Sequence, residues 1–245
     1  MESGVLAKAF LVLEVLAGSD GPQALGAITN QLGLNKPTIH RILNDLAALG
    51  YVEQVGAGKY GLSGKLGRLA AGQDHGPLMS AAEPHLRTLH EKTGETVNLG
   101  VLRGTRVAYL RVIESTHPLR RVVEPGTLDP FHSTALGRAI VSHMPDATWS
   151  RLLRGVTLEA RTPNTIVSTK KLRELLQEAR ENGYAAEREE NDMGVMCLAN
   201  PIRDEYGVVG AISITVPVAR GTPAEAELRK HLAKASKAVE RDLQA

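Results

Sequence analysis

A chain of 245 residues with 42% hydrophobic and 23% charged content, carrying 29 Lys and Arg against 27 Asp and Glu, holds enough apolar material for substantial cores and has a length that fits two domains. It contains no run approaching the roughly 20 apolar residues of a membrane span, no basic N-terminal region followed by an apolar signal core, and one cysteine, Cys197, which leaves no intrachain disulfide and no multi-cysteine zinc ribbon. A cytoplasmic location is expected, and 3% aromatic content argues against single-stranded nucleic acid held on stacking platforms.

In chain order, Leu6, Phe10, Leu13 and Leu16 recur at helical spacing and predict a first helix that closes a small three-helix core. Leu25, Ile28 and Leu32 line a shorter second helix, in which Gly26 should cost roughly 1 kcal/mol relative to alanine. Gly33 then supplies positive φ for a tight turn, and Leu34 packs between the helices. Asn35 can cap the third helix, and Pro37 suits its first turn, where no backbone donor is needed. Ile39, Ile42, Leu43, Leu46 and Leu49 form its apolar stripe. Arg41 and Asn44 face away from that stripe, with Thr38 and His40 on its shoulders. The pair is a helix-turn-helix whose second helix can enter a major groove.

Residues 51–55 and 59–62, joined by Gly56-Ala57-Gly58, predict a β-hairpin wing. Within the reading helix, Arg41 is the candidate for bidentate contact with guanine, supported by Thr38, His40 and Asn44. Lys59 in the wing and Lys36 at the helix entrance suit phosphates, which fix register without carrying sequence. From Asn35 to Arg68 five Lys and Arg stand against Asp45 and Glu53, a local charge of +3. That electrostatic footprint is modest, so affinity for duplex DNA should depend on dimerisation.

Leu62, Leu66 and Leu69 predict a linker helix over 62–71, broken by the Gly- and Pro-containing stretch 72–77. Beyond it a helix should run from Met79 to a stop at Gly94. Strands over 96–102 and 106–113 should turn about Arg103-Gly104-Thr105, with a further strand at 119–123. Helices are expected over 136–143 and 170–182, a hairpin over 195–202 and 208–216, and a last helix from about Pro223. Such an α+β pattern, strands bracketed by helices on one side, makes a sheet that can cup a small molecule. The expected division is 1–62, 63–78 and 79–245. At Ala135-Leu136-Gly137 a helix starts behind Ser133 and Thr134, and a helix N-terminus with free amides attracts carboxylates, as an organic acid would supply. Ser213 and Thr215, two apart on a strand, share a face.

Enzymatic patterns are lacking. There is no Gly-x-Ser-x-Gly elbow, no phosphate-cradling loop with lysine and no His-Glu-x-x-His motif. His132 beside Ser133 lacks supporting spacing, and His85 and His90 stand about 140° apart on a helix. The acidic run 187–192 lacks calcium-loop spacing and reads as a solvated loop. Neither catalysis nor a cofactor or metal is expected.

Six segments in order, Gly33-Leu34-Asn35-Lys36-Pro37-Thr38-Ile39-His40-Arg41-Ile42-Leu43, Leu49-Gly50-Tyr51-Val52, Tyr60-Gly61-Leu62, Thr93-Gly94-Glu95-Thr96-Val97-Asn98-Leu99, His132-Ser133-Thr134-Ala135-Leu136-Gly137-Arg138-Ala139 and Gly194-Val195-Met196-Cys197-Leu198-Ala199-Asn200-Pro201-Ile202, give the chain its likeness to a known group. Over essentially its whole length it resembles the IclR family of bacterial transcriptional regulators. The resemblance implies a winged helix-turn-helix, a linker helix and a GAF-like effector-binding domain with a mainly antiparallel sheet. It also implies homodimers that commonly pair into homotetramers. Carried over by position, it places Glu187, Cys197, Ser213 and Thr215 at the effector, completing the site begun by Ser133, Thr134, Ala135 and Leu136. Glu187 counts against an anionic ligand unless it is protonated or meets a ligand hydroxyl. A pocket with hydroxyls and few aromatic rings favours a small hydroxy- or keto-acid. The expected function is a ligand-responsive regulator binding a palindromic operator, a repressor by the commoner family behaviour, with an activator or a GAF-type sensor acting through protein contacts as alternatives. An effector favouring one inter-domain geometry by about 1–3 kcal/mol would change operator occupancy severalfold to about a hundredfold.

Overall fold

The computed structural model describes residues 4–19, 21–56, 58–66, 75–154 and 156–244 and divides into two compact units, Met1–Asp74 and His75–Ala245. The first contains α1 (Val5–Ala17), β1 (Gln23–Ala24), α2 (Leu25–Leu32), α3 (Lys36–Ala48), β2 (Val52–Val55) and β3 (Lys59–Leu62). Gly33 ends α2 at φ 64° with its N–H donated to the Thr29 carbonyl. Two residues later Asn35 Oδ1 accepts the Thr38 N–H at 3.0 Å and starts α3. Ile28, Ile39, Ile42 and Leu43 close a core with Val12, Val15 and Leu16 of α1 and with Val52 and Tyr60 of the wing. The wing has a strand that the sequence does not announce, β1, which pairs antiparallel with β3 and gives the order β1-β3-β2.

Two faces differ from expectation. Helix α1 buries Val12, Val15 and Leu16, whereas Leu6 is 74% and Phe10 59% exposed. Both stripes have helical spacing, but the three-helix core is too short to reach the first turns of α1. Leu49 is 57% exposed, because it caps α3 and the chain turns away at Gly50. These side chains border an apolar cleft of about 480 Å³ that also includes Leu13, Tyr51 and Leu66. Residues 64–66 are helical; the rest of the expected linker helix lies outside the described residues.

In the second unit α4 (Gly76–Thr93) is followed by β4 (Thr96–Arg103), β5 (Arg106–Ile113), β6 (Leu128–Pro130), α5 (Ala135–Ser142), α6 (Asp146–Arg154), α7 (Thr169–Asn182), β7 (Ala185–Arg188), β8 (Val195–Asp204), β9 (Gly207–Pro217) and α8 (Val218–Asp242). The six strands form one antiparallel sheet in the order β6-β5-β4-β9-β8-β7. Helices cover both of its faces, not one. Val97, Leu99, Ile212 and Ile214 point to one side and pack with Leu86 of α4 and Leu232 of α8. Val107, Tyr109, Ala199 and Ala211 point to the other and pack with Leu136 and Ile140 of α5 and Leu172 and Leu176 of α7. The period-two alternation of each strand distributes the two apolar sets.

Residues 119–123 are not a strand. Leu119 and Val122 are 69% and 59% exposed, and Pro118 and Pro125 flank the segment, each lacking the backbone donor a ladder needs. The strand that pairs with β5 comes later, as β6. The last helix begins at Val218, and Pro223 lies inside it, at the expense of one in-helix hydrogen bond.

Candidate functional site

The exposed side of α3 is unengaged. Lys36, His40, Arg41 and Asn44 are exposed and Thr38 half-buried. Asn44 Nδ2 lies 3.5 Å from His40 Nδ1, whereas Arg41 has no hydrogen bond or ion pair among the described residues. Lys59 stands exposed on β3. Lys65, counted in the local charge, is tied down instead: Nζ donates to the Leu49 carbonyl at 2.6 Å and lies 4.6 Å from the Tyr51 ring centroid. A positive, donor-bearing helix face with free side chains can meet base edges and phosphates together.

In the second unit the site grows from strand register. Glu187 of β7 stands opposite Cys197 of β8, which stands opposite Thr215 of β9. Ser213 lies two residues along on the same face, opposite Asn98 of β4. Asn98 Nδ2 donates to Ser213 Oγ at 3.1 Å and Thr215 Oγ1 at 3.0 Å, and its buried Oδ1 has no partner among the described residues. Above these strands sits the start of α5, where Thr134 Oγ1 accepts the Gly137 N–H at 3.2 Å. The amides of Ala135 and Leu136 precede the first in-helix bond and have no acceptor within the helix.

Thr134, Ala135, Leu136, Glu187, Cys197, Ser213 and Thr215 therefore line one cavity, together with Tyr109, Arg121, Asn191 and Asp192. Ser133 stands behind it, donating to Asn191 Oδ1 at 2.8 Å. The space open to water centres is about 10 Å³, room for about one water. Any molecule larger than water must therefore open the cavity to enter.

Burial dominates its electrostatics. It pushes the Glu187 carboxyl up to about 7, against the Cys197 thiol, the Glu190 N–H and Arg138, all of which favour the carboxylate. It also raises the Cys197 thiol well above its ordinary value, with Glu187 adding to the shift, and it raises the Tyr109 phenol. For Arg121 burial opposes the charge, but Tyr109, Asp192 and Asp129 outweigh it and raise its pKa. Burial thus holds the thiol, the phenol and the Glu187 carboxyl toward their neutral forms, while Arg121 keeps its charge.

Sequence reasoning misses Asn98, Tyr109, Arg121, Asn191 and Asp192. Thr96, Asn98 and Gly100 interrupt an apolar strand with period two, a signal that could have found Asn98. Residues 187–192 are not a solvated loop: Glu187, Glu190 and Asn191 are buried, and Glu190 forms a bidentate pair with Arg138. His132 Nε2 meets the Glu159 carbonyl at 3.0 Å and Ser133 Oγ donates to Asn191 Oδ1, so the two side chains bond to other partners. His85 meets Asp242 and His90 the Glu95 carbonyl.

A winged helix-turn-helix followed by an α+β unit with an antiparallel sheet is the architecture of a two-domain DNA-binding transcriptional regulator. Residues 5–56 match the IclR helix-turn-helix domain and residues 72–241 match the bacterial transcriptional regulator IclR C-terminal domain, and the chain belongs to the IclR family. It is 35% identical over 219 residues to the probable transcriptional regulator SauR of Cupriavidus necator, covering 88% of this chain and 86% of that protein. To the transcriptional repressor IclR of Escherichia coli it is 33% identical over 230 residues, covering 89% and 81%. A crystal structure of an IclR homologue from Microbacterium hydrocarbonoxydans complexed with 4-hydroxybenzoate aligns with a TM-score of 0.64 at 25% identity, covering 98% of this chain and 99% of that one. The family and these relatives are transcriptional regulators, and this chain is a regulator, not an enzyme. No helix among the described residues is long and apolar enough to cross a membrane.

Proposed function

We propose that this protein is a cytoplasmic, ligand-responsive repressor that binds a palindromic operator in duplex DNA as a dimer or dimer of dimers, and that a small organic acid in the second unit sets its operator occupancy. The observation that carries the reading is the cavity under α5, lined by the residues that start that helix, by the hydroxyls of Ser213 and Thr215 and by the buried Glu187 carboxyl. The 4-hydroxybenzoate bound by a homologue and the repressor named among the relatives support the ligand class and the sign. Residues 1–62 would read DNA, 63–78 would transmit, and 79–245 would hold a GAF-like effector site. The uncovered apolar face of α1 and Leu49 supports self-association of the DNA-reading units. Footprinting and mobility shift on the gene's own upstream intergenic DNA, repeated across a panel of organic acids, test it. Protection of a palindrome that one acid abolishes is expected. Absence of any protected site would overturn the reading.

Arg41→Ala should lose about 1–3 kcal/mol of discrimination at one base position. Lys59→Ala should weaken all sequences alike and reduce the salt slope by about one. Footprint titrations against single-base operator variants separate the two. A folded Arg41→Ala protein with full base preference would end the assignment of α3 as the reading helix.

Glu187 gives the ligand a pH signature. A carboxylate beside it favours the protonated carboxyl, so affinity should fall as pH rises through 7, approaching about tenfold per unit above it. Binding should also take up protons, seen by calorimetry in buffers of different ionisation enthalpy. Glu187→Gln should flatten both dependences. The same group affects folding: its pKa is raised above its unfolded value, so the stability it permits at low pH is lost as pH rises from about 4.5 through about 7.

A further inference from the structure

The cavity meets solvent at an ion pair. Apart from Cys197, the lining residues that keep appreciable exposure are Arg121 and Asp192, whose side chains are 14% and 39% exposed. Arg121 belongs to the irregular segment between β5 and β6, and Asp192 to the loop between β7 and β8. Arg121 Nε donates to Asp192 Oδ2 at 2.5 Å, while Nη2 donates to Asp129 Oδ2 at 2.8 Å. One guanidinium thus serves two carboxylates, and they are unequal. Asp129 is fixed on β6, 5% exposed, and also receives the Tyr109 hydroxyl at 3.2 Å, while Asn191 Nδ2 is shared, 2.9 Å from Asp192 Oδ2 and 3.3 Å from Asp129 Oδ2. Losing Arg121 would leave its buried charge with only the distant Arg161, at 3.8 Å. Asp192, whose side chain is 39% exposed, can exchange its bonds to Arg121 and Asn191 for water.

We propose that the Arg121–Asp192 pair is the latch of the cavity, and that the effector opens it by placing an anionic group on Arg121 in place of Asp192. This rests on the effector reading above and narrows it. With one acidic group at the α5 amides and another on Arg121, the effector is a small dicarboxylate. Exchange of one carboxylate for another leaves the charge beside Arg121 unchanged, and the effector's other carboxylate adds one negative charge, which the helix start at α5 favours. A second carboxylate placed elsewhere in the cavity would add uncompensated charge near Glu187, which burial costs heavily.

Cys197, the chain's one thiol, lines the cavity and reports its opening. Cys197 is itself part-exposed, so labelling of the full chain with the neutral disulfide 4,4'-dithiodipyridine should have a measurable baseline rate, which Asp192→Asn, by removing the charge that holds the latch, should raise at least about tenfold. An unchanged rate overturns the latch. In the native chain a bound diacid fills the opened cavity and covers the thiol, so succinate should slow labelling where butyrate does not, and terephthalate where 4-hydroxybenzoate does not; Arg121→Lys, with a point charge in place of the fork, should lose most of that protection. Equal protection by both members of each pair, protection by neither diacid, or full protection retained in Arg121→Lys overturns the exchange. Labelling of the unliganded chain needs neither DNA nor effector, so failure of the Asp192→Asn arm leaves the effector reading standing. Acids that release the operator without altering Cys197 labelling would instead remove the effector from this cavity.

Discussion

Gly137→Ala is expected to unseat the start of α5. The added carbon would stand 2.3 Å from the Cα of Phe131, 2.4 Å from its carbonyl oxygen and 2.7 Å from its carbonyl carbon. These are backbone atoms, and Phe131 is itself fully buried, so no flexible side chain can yield. Overpacking of a core ordinarily costs about 1–3 kcal/mol, and the upper end or beyond is expected where backbone must move. A fall in urea midpoint at unchanged slope measures it. The residues displaced with Phe131 are those that cap α5 and roof the cavity, so any folded remainder should bind organic acids weakly in calorimetry. Gly26→Ala provides the contrast: nothing lies within 4 Å of a carbon added there, and removing a helical glycine should stabilise by up to roughly 1 kcal/mol. Near-native stability of Gly137→Ala would mean that α5 can slide on the sheet and that its amides do not define a rigid site.

How much of this was legible in the sequence depended on how local each determinant is. Helix α3 was open to inspection because Asn35, Pro37 and the stripe from Ile39 to Leu46 all act within one element, through a cap and a period. The face of α1 was not, since Leu6–Phe10–Leu13 and Val12–Val15–Leu16 both fit a helix, and only the length of the opposing core chooses between them. Strand parity showed that Ser213 and Thr215 share a face. That Glu187 and Cys197 join them follows from the order β7-β8-β9, which no local pattern encodes. Arg121 and Asp192 are 71 residues apart in the chain, each in an irregular segment without periodicity, so their meeting had no sequence signal. The apolar residues at 119–123 misled for a related reason: hydrophobicity alone cannot tell a strand from an exposed segment between prolines.

Arg138→Met is expected to destabilise the second unit by about 3–5 kcal/mol, because it leaves Glu190 as a buried charge without its partner. The Arg138 side chain is 2% exposed and that of Glu190 11%. Nη1 donates to Glu190 Oε1 at 2.7 Å and Nη2 to the other oxygen, while Nε donates to the His132 carbonyl at 2.8 Å and Nη1 also reaches the Ala186 carbonyl at 3.3 Å. One side chain therefore joins the approach to α5, strand β7 and the loop that follows it, the three pieces that bring Thr134, Glu187, Asn191 and Asp192 to the cavity wall. Adding Glu190→Gln should recover much of the lost stability, since a neutral amide needs no guanidinium, and a double-mutant cycle by urea unfolding would show strong coupling. Recovery of stability should not restore ligand affinity: the bond to His132 goes with Arg138 whichever group stands at 190. If the double variant regained both, Arg138 would be a partner for Glu190 and nothing more; if it regained neither, the loss would lie in packing around the arginine stem and not in the buried charge.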